Sequence, residues 1–363
     1  MTAPTISPVG GASIAIRRLT GSDRAEAGAL WRELEETLDL GAVACSWAWT
    51  DAWLNAYGDV VDHRFVVGEH DGRAIGVALV TRAPGGPGRP RTIHLGTAGE
   101  PHGETVFVER NRLLVAPALR PAFAAALMRS LEADSDWDRL RLDGVLPEDA
   151  DDLLAGREGA SVQIDESPVA DLTVGDDVLD ALSGSRRQRM RRTLRAFGAL
   201  EAEWAQTPAQ ALDVLDELIV LHQADWARRG ASGAFASARL TAFHRELVGR
   251  LLPEGRAALV RVRRGDETVG CLYGLIEDSR LLFYQGGLRH YDDNRLRAGH
   301  AAHVLFMRAC RERGLTEYDF LAPTARYKEE LSTGSDRLVW AELERPGWRT
   351  GLSRARRRLG RGA

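Results

Sequence analysis

Two distant stretches of the chain predict the same tight β-hairpin. Residues 64–80 (RFVVGEHDGRAIGVALV) place two β-rich runs around Asp71-Gly72, and residues 257–276 (AALVRVRRGDETVGCLYGLI) place two more around Gly265-Asp266. Pairs of this composition between β-rich runs favour a two-residue hairpin turn. Aligning the two turns also aligns Gly76 with Gly270, each preceded by a β-branched residue. We interpret this long-range similarity as a duplicated unit.

The elements around both hairpins follow one order, which predicts an α/β (α+β) fold of two tandem halves. Each half is expected to contain a mixed, mostly antiparallel sheet flanked by helices. In the first half the pattern predicts strands at 13–19, 92–96 and 140–142 and helices at 21–38 and 118–132. In the second it predicts strands at 201–204, 281–285 and 318–321 and helices at 208–228 and 298–313. The predicted domains are residues 1–173, a basic helical connector at 174–197, residues 198–345 and a basic tail at 346–363.

Composition restricts the class of protein. The 363 residues suffice for two domains, and the three cysteines form no C-x-x-C pair, so neither a disulfide framework nor a cysteine zinc site is predicted. No basic segment precedes an apolar run at the N-terminus, and no apolar stretch has the length of a membrane span. The net charge of −4 disfavours general attraction of nucleic acid. We therefore expect a cytoplasmic protein.

The segment from 281 to 301 (LLFYQGGLRHYDDNRLRAGHA) carries the clearest chemical signal. An aromatic strand and a polar turn lead into Gly299-x-Ala301, which opens a helix. A glycine there lets backbone N–H groups approach a phosphate that the helix dipole also attracts. Arg295 and Arg297 would add contacts to a pyrophosphate. Such a glycine often has an ordinary capping or packing role, but its position after a hairpin and a third strand favours phosphate binding.

These features resemble the acyl-CoA site of the GNAT superfamily, whose loop follows the pattern Q/R-x-x-G-x-G/A. The segment Leu296-Arg297-Ala298-Gly299-His300-Ala301 keeps the glycine and the final alanine but has Leu296 in the leading position. Residues 319–331 (DFLAPTARYKEEL) resemble the ending of the CelD-like branch of tandem GNAT proteins, in which a Tyr-Lys pair follows the last strand. Here the pair is Tyr327-Lys328. This branch is related in fold to the peptidoglycan-bridge aminoacyltransferases.

The resemblance implies a reaction in which an amine attacks the thioester carbonyl of acyl-CoA, a co-substrate rather than a permanently bound cofactor. Backbone N–H groups between Tyr284 and Gly287 would hold the oxyanion. The residues expected to contact the donor are Tyr284, Gln285, Arg295, Arg297, Ala298, Gly299, His300 and Ala301.

Several side chains are candidates for the chemistry. His290, Asp319 and Glu329 are alternative bases for the acceptor ammonium, and Tyr327 is the candidate to protonate the departing sulfur. Lys328 would hold a carboxylate or phosphate of the acceptor, or simply lie in solvent. His300 and His303 are one helical turn apart, but no carboxylate or thiolate lies at ligand spacing, so no metal site is predicted. Trp47, Trp49 and Trp53 line an acceptor pocket or form core.

Three functions remain open from the sequence. The first is an acyl-CoA-dependent N-acyltransferase acting on a primary amine of a sugar, a lipid-type amine such as a sphingoid base, or a small metabolite. The second takes an aminoacyl group from charged tRNA, as in the peptidoglycan-bridge enzymes, and the third is a non-catalytic binding protein with this fold. The basic clusters at 185–195 and 346–363 are solvated surfaces, or peripheral contacts with an anionic membrane at its inner face or with RNA. The acyl chain, the acceptor and the oligomeric state are not specified by these patterns.

Overall fold

The computed structural model describes residues 13–353, and the chain divides into two compact units. Within these residues, unit 1 comprises residues 13–101, 106–163 and 339–353, and unit 2 comprises His102–Thr105 and Ile164–Leu338. The boundaries of these units differ from those of the predicted domains. The predicted connector lies inside unit 2, and the chain returns to unit 1 at residue 339, within its last strand. Within the described residues, every helix is too short or too polar to cross a membrane.

Unit 1 is built on a mixed sheet. Its strands are β1 (Ala15–Thr20), β2 (Asp62–His70), β3 (Arg73–Arg82), β4 (Thr92–Leu95), β5 (Leu114–Val115) and β6 (Arg139–Val145), and its helices are α1 (Arg24–Leu38), α2 (Trp47–Tyr57), α3 (Arg120–Ala133) and α4 (Pro147–Leu154). The strands pair in the order β1-β2-β3-β4-β6, with β4 and β6 parallel and the other neighbours antiparallel. The final residues of β13 (Gly334–Glu344) pair with β6, and β5 pairs with β3.

Unit 2 has a sheet of the same kind. Its strands are β7 (Ser161–Asp171), which starts in unit 1, β8 (Glu201–Trp204), β9 (Ala257–Arg264), β10 (Glu267–Glu277), β11 (Arg280–Leu288) and β12 (Glu317–Asp319), and its helices are α5 (Gly184–Phe197), α6 (Pro208–Arg228), α7 (Ala238–Leu251), α8 (Ala298–Glu312) and α9 (Arg326–Leu331). The order is β7-β12-β11-β10-β9-β8, and only β11 and β12 are parallel. The predicted fold class of two mixed, mostly antiparallel units is confirmed.

Both predicted hairpins are present and share an irregularity that the sequence did not reveal. In β3, Ile75 is an extra residue between the Gly68–Gly76 and Glu69–Ala74 pairs. In β10, Val269 is an extra residue between the Gly270–Val262 and Thr268–Arg263 pairs. Each bulge directly precedes the aligned glycine. A bulge at the same position in both hairpins supports the interpretation that the units are duplicates.

Four helices (α2, α4, α7 and α9) and three strands (β5, β7 and β13) were not predicted, and two of them show why. Helix α9 spans six residues, too few for the 3.6-residue period to repeat. Strand β7 is exposed over its first half and buried over its second, so apolar and polar residues do not alternate. The predicted connector is helical only over α5, and residues 174–183 form turns. Of the predicted basic tail, residues 354–363 lie outside the described residues.

Helix α6 crosses the sheet of unit 2 at Gly287, the next-to-last residue of β11. A Cβ atom on this glycine would lie 2.2 Å from the backbone oxygen of Leu218 in α6. The backbone of a helix cannot rotate away as a side chain does. Glycine at this position therefore permits the close approach of α6 to the strand.

We predict that Gly287→Ala lowers the thermal unfolding midpoint, because the methyl group costs about 1–3 kcal/mol of overpacking against α6. The matched control is Gly249→Ala in α7, where a Cβ atom meets nothing within 4 Å. That variant should keep or raise the midpoint, since alanine favours a helix over glycine by up to about 1 kcal/mol. Equal midpoints for Gly287→Ala and the unmodified chain would contradict the close approach.

Candidate active site

Strands β11 and β12 separate after a short paired region. Their parallel pairing comprises Arg280–Glu317, Leu281–Tyr318 and Leu282–Asp319, and then β12 ends. Strand β11 continues for six more residues to Leu288, paired with β10 on its other side. The edge of β11 beyond Leu282 therefore lines an opening between the two strands.

The opening contains a bulge and an outward-facing donor. The β10–β11 register passes from Gly274–Phe283 to Tyr273–Gln285, so Tyr284 is the extra residue. The backbone N–H of Gly286 donates to the side-chain Oε1 of Gln285 at 3.0 Å. In a continuous sheet a neighbouring carbonyl would accept such an N–H. The Gln285 amide oxygen thus occupies a position that an incoming carbonyl oxygen would take.

Asp319 lies at the point where the strands separate. Its side chain is completely buried, accepts hydrogen bonds from the Ser167 hydroxyl at 2.5 Å and from the Leu321 N–H at 2.9 Å, and lies 3.2 Å from the Arg280 guanidinium. Arg280 also bonds to Glu317 and Asp336. These contacts fix the end of β12 and the turn that follows it.

Lys328 also contacts the turn that follows β12. Its buried ammonium donates to the backbone oxygens of Leu321 at 2.6 Å and of Pro323 at 3.0 Å. It is the only lysine among the 48 lysine and arginine residues of the chain. A guanidinium is larger and planar, whereas an ammonium is compact enough to lie between two carbonyl groups. The single lysine was a signal in the sequence that our interpretation did not use.

Aromatic rings of β11, α8 and α9 pack beside the opening. The His303 ring lies 4.5 Å from the Phe283 ring and stacks on Tyr327 at 5.4 Å between ring centroids. His303 is completely buried, which lowers its pKa to about 3, so it is neutral and packs as an aromatic ring. Burial also raises the pKa of Tyr327 to about 12. The phenol is therefore protonated at neutral pH. Within the described residues its oxygen has no hydrogen-bond partner, so it can donate to a ligand.

Helix α8 begins directly after the loop that leaves β11. Arg297, the residue preceding the helix, supplies no side-chain cap, and the first helical hydrogen bond runs from the Ala301 N–H to the Arg297 oxygen. The N–H groups of Ala298, Gly299 and His300 precede that bond. A Cβ atom on Gly299 would meet only Leu288, at 3.3 Å. This helix start has the backbone donors and the space that a phosphate group needs.

The two predicted loop arginines differ in their surroundings. Arg295 is exposed and forms an ion pair with Asp293 at 2.8 Å, which lowers the pKa of that carboxyl to about 2. Arg297 is exposed and makes no ion pair with any described residue. Arg297 is therefore the better placed of the two to bind an external anion. His290 lies in the same loop, half exposed, with Asp292 at 3.5 Å.

His300, in the first turn of α8, belongs to a charged cluster. Its Nε2 lies 2.8 Å from Glu330, which also pairs with Arg189 at 2.5 Å and Arg326 at 3.2 Å. Burial lowers the pKa of His300, the bond to Glu330 opposes that effect, and the charges of Arg297 and Arg189 lower it further. Burial alone would raise the pKa of Glu330, but its hydrogen bonds with His300 and Arg326 outweigh that effect and lower it.

A second polar cluster, which the sequence did not predict, lies on the α6/α7 face of β11. The His244 ring is 5.0 Å from the Tyr284 ring and 5.8 Å from the Tyr273 ring. The Nδ1 atom of His244 and the hydroxyl of Tyr273 are buried without hydrogen-bond partners in the described part of the chain. Burial lowers the pKa of His244 to about 3 and raises the pKa of Tyr273. Both groups are neutral in the folded protein.

In unit 1 a side chain bridges the corresponding strands, β4 and β6. There the side-chain amide of Asn111 donates to the Leu95 oxygen of β4 at 2.9 Å and to the Asp143 oxygen of β6 at 3.4 Å. Trp49 and Trp53 are buried in this unit, and their indole N–H groups donate to Thr97 and Glu100. The residues predicted to contact the donor, between 284 and 301, lie in unit 2.

Residues 184–329 match the family model described as an acetyltransferase (GNAT) domain. The chain carries a GNAT domain. The match begins at α5 and ends in α9, so it covers the strand opening, the start of α8 and Tyr327-Lys328. GNAT domains in general take an acyl donor and an amine acceptor. The predicted resemblance to GNAT acyltransferases is confirmed.

Solved structures show that the GNAT-like fold extends over both units. FemX is 13% identical, with a TM-score of 0.57 over 90% of this chain and 96% of FemX. L-PGS from Bacillus licheniformis is 12% identical, with a TM-score of 0.56 over 92% of this chain and 96% of that chain. The C-terminal domain of a putative lysylphosphatidylglycerol synthetase from Agrobacterium fabrum is 13% identical, with a TM-score of 0.55 over 91% and 95% of the two chains. No curated protein matches the chain in sequence.

The environment of Lys328 generates a prediction about stability. Lys328→Met leaves the Leu321 and Pro323 oxygens without their donor, and we expect a loss of about 1–3 kcal/mol, measured as a lower unfolding midpoint. The matched control is Arg326→Met on the same helix, whose side chain is 84% exposed and which should change the midpoint little. Unchanged stability of Lys328→Met together with weaker acceptor binding would instead place Lys328 on the substrate.

Proposed function

We propose that the GNAT domain in unit 2 transfers an acyl group from acyl-CoA to a primary amine. The observation that carries this proposal is the edge of β11 that continues beyond its pairing with β12, followed after the loop 289–297 by the uncapped start of α8. The edge offers N–H donors to a carbonyl, and the helix start offers N–H donors to a phosphate. A CoA thioester contains both groups, joined by a flexible arm.

In this proposal the pyrophosphate lies at the N–H groups of Ala298, Gly299 and His300, next to the Arg297 guanidinium. The thioester oxygen displaces Gln285 Oε1 from the Gly286 N–H, which then stabilises the oxyanion. The amine nitrogen bonds to the carbonyl carbon and releases a proton to water, the carbon–sulfur bond breaks, and the CoA thiolate takes the proton of the Tyr327 phenol. Water can return a proton to Tyr327 after the products leave.

The acceptor ammonium must lose a proton before it attacks. Asp319 is completely buried and already bonded to Ser167, Arg280 and Leu321, so we assign it to holding the strand opening rather than to proton transfer. The remaining candidates, His290 and Glu329, reach solvent and would act through water. Lys328 is likewise assigned to holding the turn after β12.

A second candidate donor is aminoacyl-tRNA, which also presents an activated carbonyl next to phosphates. The basic surface of α5 favours this alternative, and the fold likeness to a putative lysylphosphatidylglycerol synthetase is compatible with an aminoacyl donor. The uncapped helix start with its glycine favours acyl-CoA. A protein that bound neither donor would be the non-catalytic alternative.

We predict that acetyl-CoA or palmitoyl-CoA raises the thermal unfolding midpoint of the chain and that Gly299→Glu abolishes the shift, because a carboxylate at the helix start repels and displaces the phosphate. The control is Gly249→Glu on α7, at a position where a Cβ atom meets nothing within 4 Å. This control should keep the shift. Equal stabilisation of Gly299→Glu and Gly249→Glu would show that the donor does not bind at the start of α8. No stabilisation of the unmodified chain by any CoA thioester would contradict the acyl-CoA proposal.

A second prediction concerns Tyr327. Tyr327→Phe should lower kcat by roughly a hundredfold, because the thiolate loses its proton donor, with little change in the KM for the thioester. The unfolding midpoint should not change, since the phenol oxygen bonds to no described residue. The measurement is steady-state release of CoA with a primary amine acceptor. A kcat equal to that of the unmodified chain would show that Tyr327 does not supply the proton.

A further inference from the structure

Helix α5 carries six arginines and no acidic residue within its 14 residues. Four of the arginines form hydrogen bonds or ion pairs with other residues of unit 2. Arg186 bonds to the Ser332 oxygen, Arg187 bonds to the Leu182 oxygen, Arg191 lies 3.6 Å from Asp180, and Arg189 pairs with Glu330. Arg192 and Arg195 are exposed and make no ion pair or hydrogen bond with any described residue. The helix therefore has more positive charge than unit 2 neutralises.

Two contacts place α5 along the donor site of the proposed function. At one end, Arg189 shares Glu330 with His300, in the first turn of α8. At the other end, the Phe197 ring lies 5.4 Å from the ring of Tyr291, in the loop between β11 and α8. The segment of α5 between Arg189 and Phe197 therefore runs beside the loop and the helix start that the proposal assigns to phosphate.

Helix geometry shows which arginines of α5 lie on the side that faces that region. Each residue turns the helix by about 100°, so Arg192 lies about 60° around the axis from Arg189, on the same side and one turn further along. Arg191 lies about 200° from Arg189, on the opposite side, where it approaches Asp180. Arg192 therefore lies on the same face of α5 as Arg189, and Arg191 lies on the opposite face.

The charges of this region do not balance. Arg189 and Arg297 both lie close enough to His300 to affect its ionisation, and Arg192 adds a third positive charge. Among the described residues, the only carboxylate that contacts Arg189 and His300 is Glu330, which is also shared with Arg326. An excess of arginines that are not paired with carboxylates favours a ligand with several phosphates, which a guanidinium binds through two parallel hydrogen bonds.

We propose that α5 is part of the donor site and that Arg192, with Arg189 and Arg297, binds phosphate groups of a nucleotide-bearing acyl donor. This inference rests on the proposed function for the position of the donor, and it adds the basic helix to that site. The phosphates come from CoA or from the 3′ end of an aminoacyl-tRNA. The two sources share the chemistry that Arg192 recognises, and the experiment separates them.

The test is titration calorimetry of the full chain with CoA and with an RNA minihelix ending in CCA, using Arg192→Ala and the matched control Arg191→Ala. Both substitutions remove one exposed arginine from the same helix and should leave the unfolding midpoint unchanged. We expect Arg192→Ala to weaken CoA binding roughly tenfold or more and Arg191→Ala to weaken it little. In turnover, Arg192→Ala should lower kcat/KM for acetyl-CoA but not for a thioester without phosphates, such as S-acetyl-N-acetylcysteamine.

Each outcome decides between the possibilities. Selective loss of CoA binding in Arg192→Ala supports the inference with CoA as the source of phosphate. Selective loss of minihelix binding, with no CoA binding by the unmodified chain, supports α5 as a phosphate-binding helix but overturns acyl-CoA as the donor. Equal affinities of Arg192→Ala and Arg191→Ala for a ligand that binds the unmodified chain overturn the inference and leave the proposed function intact. Binding of neither ligand overturns both.

Discussion

Arg280 and Asp319 form a buried ion pair at the point where β11 and β12 separate. Removing two charges from water is unfavourable unless each finds further partners. Asp319 has the Ser167 hydroxyl and the Leu321 N–H, and Arg280 has Glu317 and Asp336. The pair can persist in the interior for that reason. It joins the strands at their base and leaves the edge of β11 beyond Leu282 available to a substrate.

The proposed donor site lies in unit 2, although the two units share a fold. In unit 2, Lys328 and Asp319 both bond to Leu321 in the turn after β12, and the Gly286 N–H bonds to the Gln285 side chain, which a ligand can displace. In unit 1, the Asn111 amide bridges the corresponding strands, so backbone acceptors that face the gap are already satisfied. The two units therefore share a fold and differ in the side chains at this pair of strands. In the proposed reaction the chemistry is carried by backbone donors, Tyr327 and the start of α8.

The sequence predicted the parts of this arrangement that depend on local pattern. The hairpin turns, α6 and the position of Gly299 at a helix start follow from composition and period. The roles of Asp319 and Lys328 depend on partners distant in sequence, such as Ser167 and Leu321, and no local pattern shows that a charged residue will be buried. The α5 arginines were visible as a cluster, but only the fold shows that Arg189 reaches Glu330 and His300. Helix α7, with its buried His244, was not predicted.

The proposed donor contacts are largely backbone N–H groups, so amide hydrogen exchange with and without saturating CoA reports on them residue by residue. We predict slower exchange in peptides that contain Gly286 and residues 298–300, and no change in peptides of unit 1 around Asn111. Unchanged exchange across residues 283–301 at a CoA concentration that saturates binding would contradict a donor site at this strand opening.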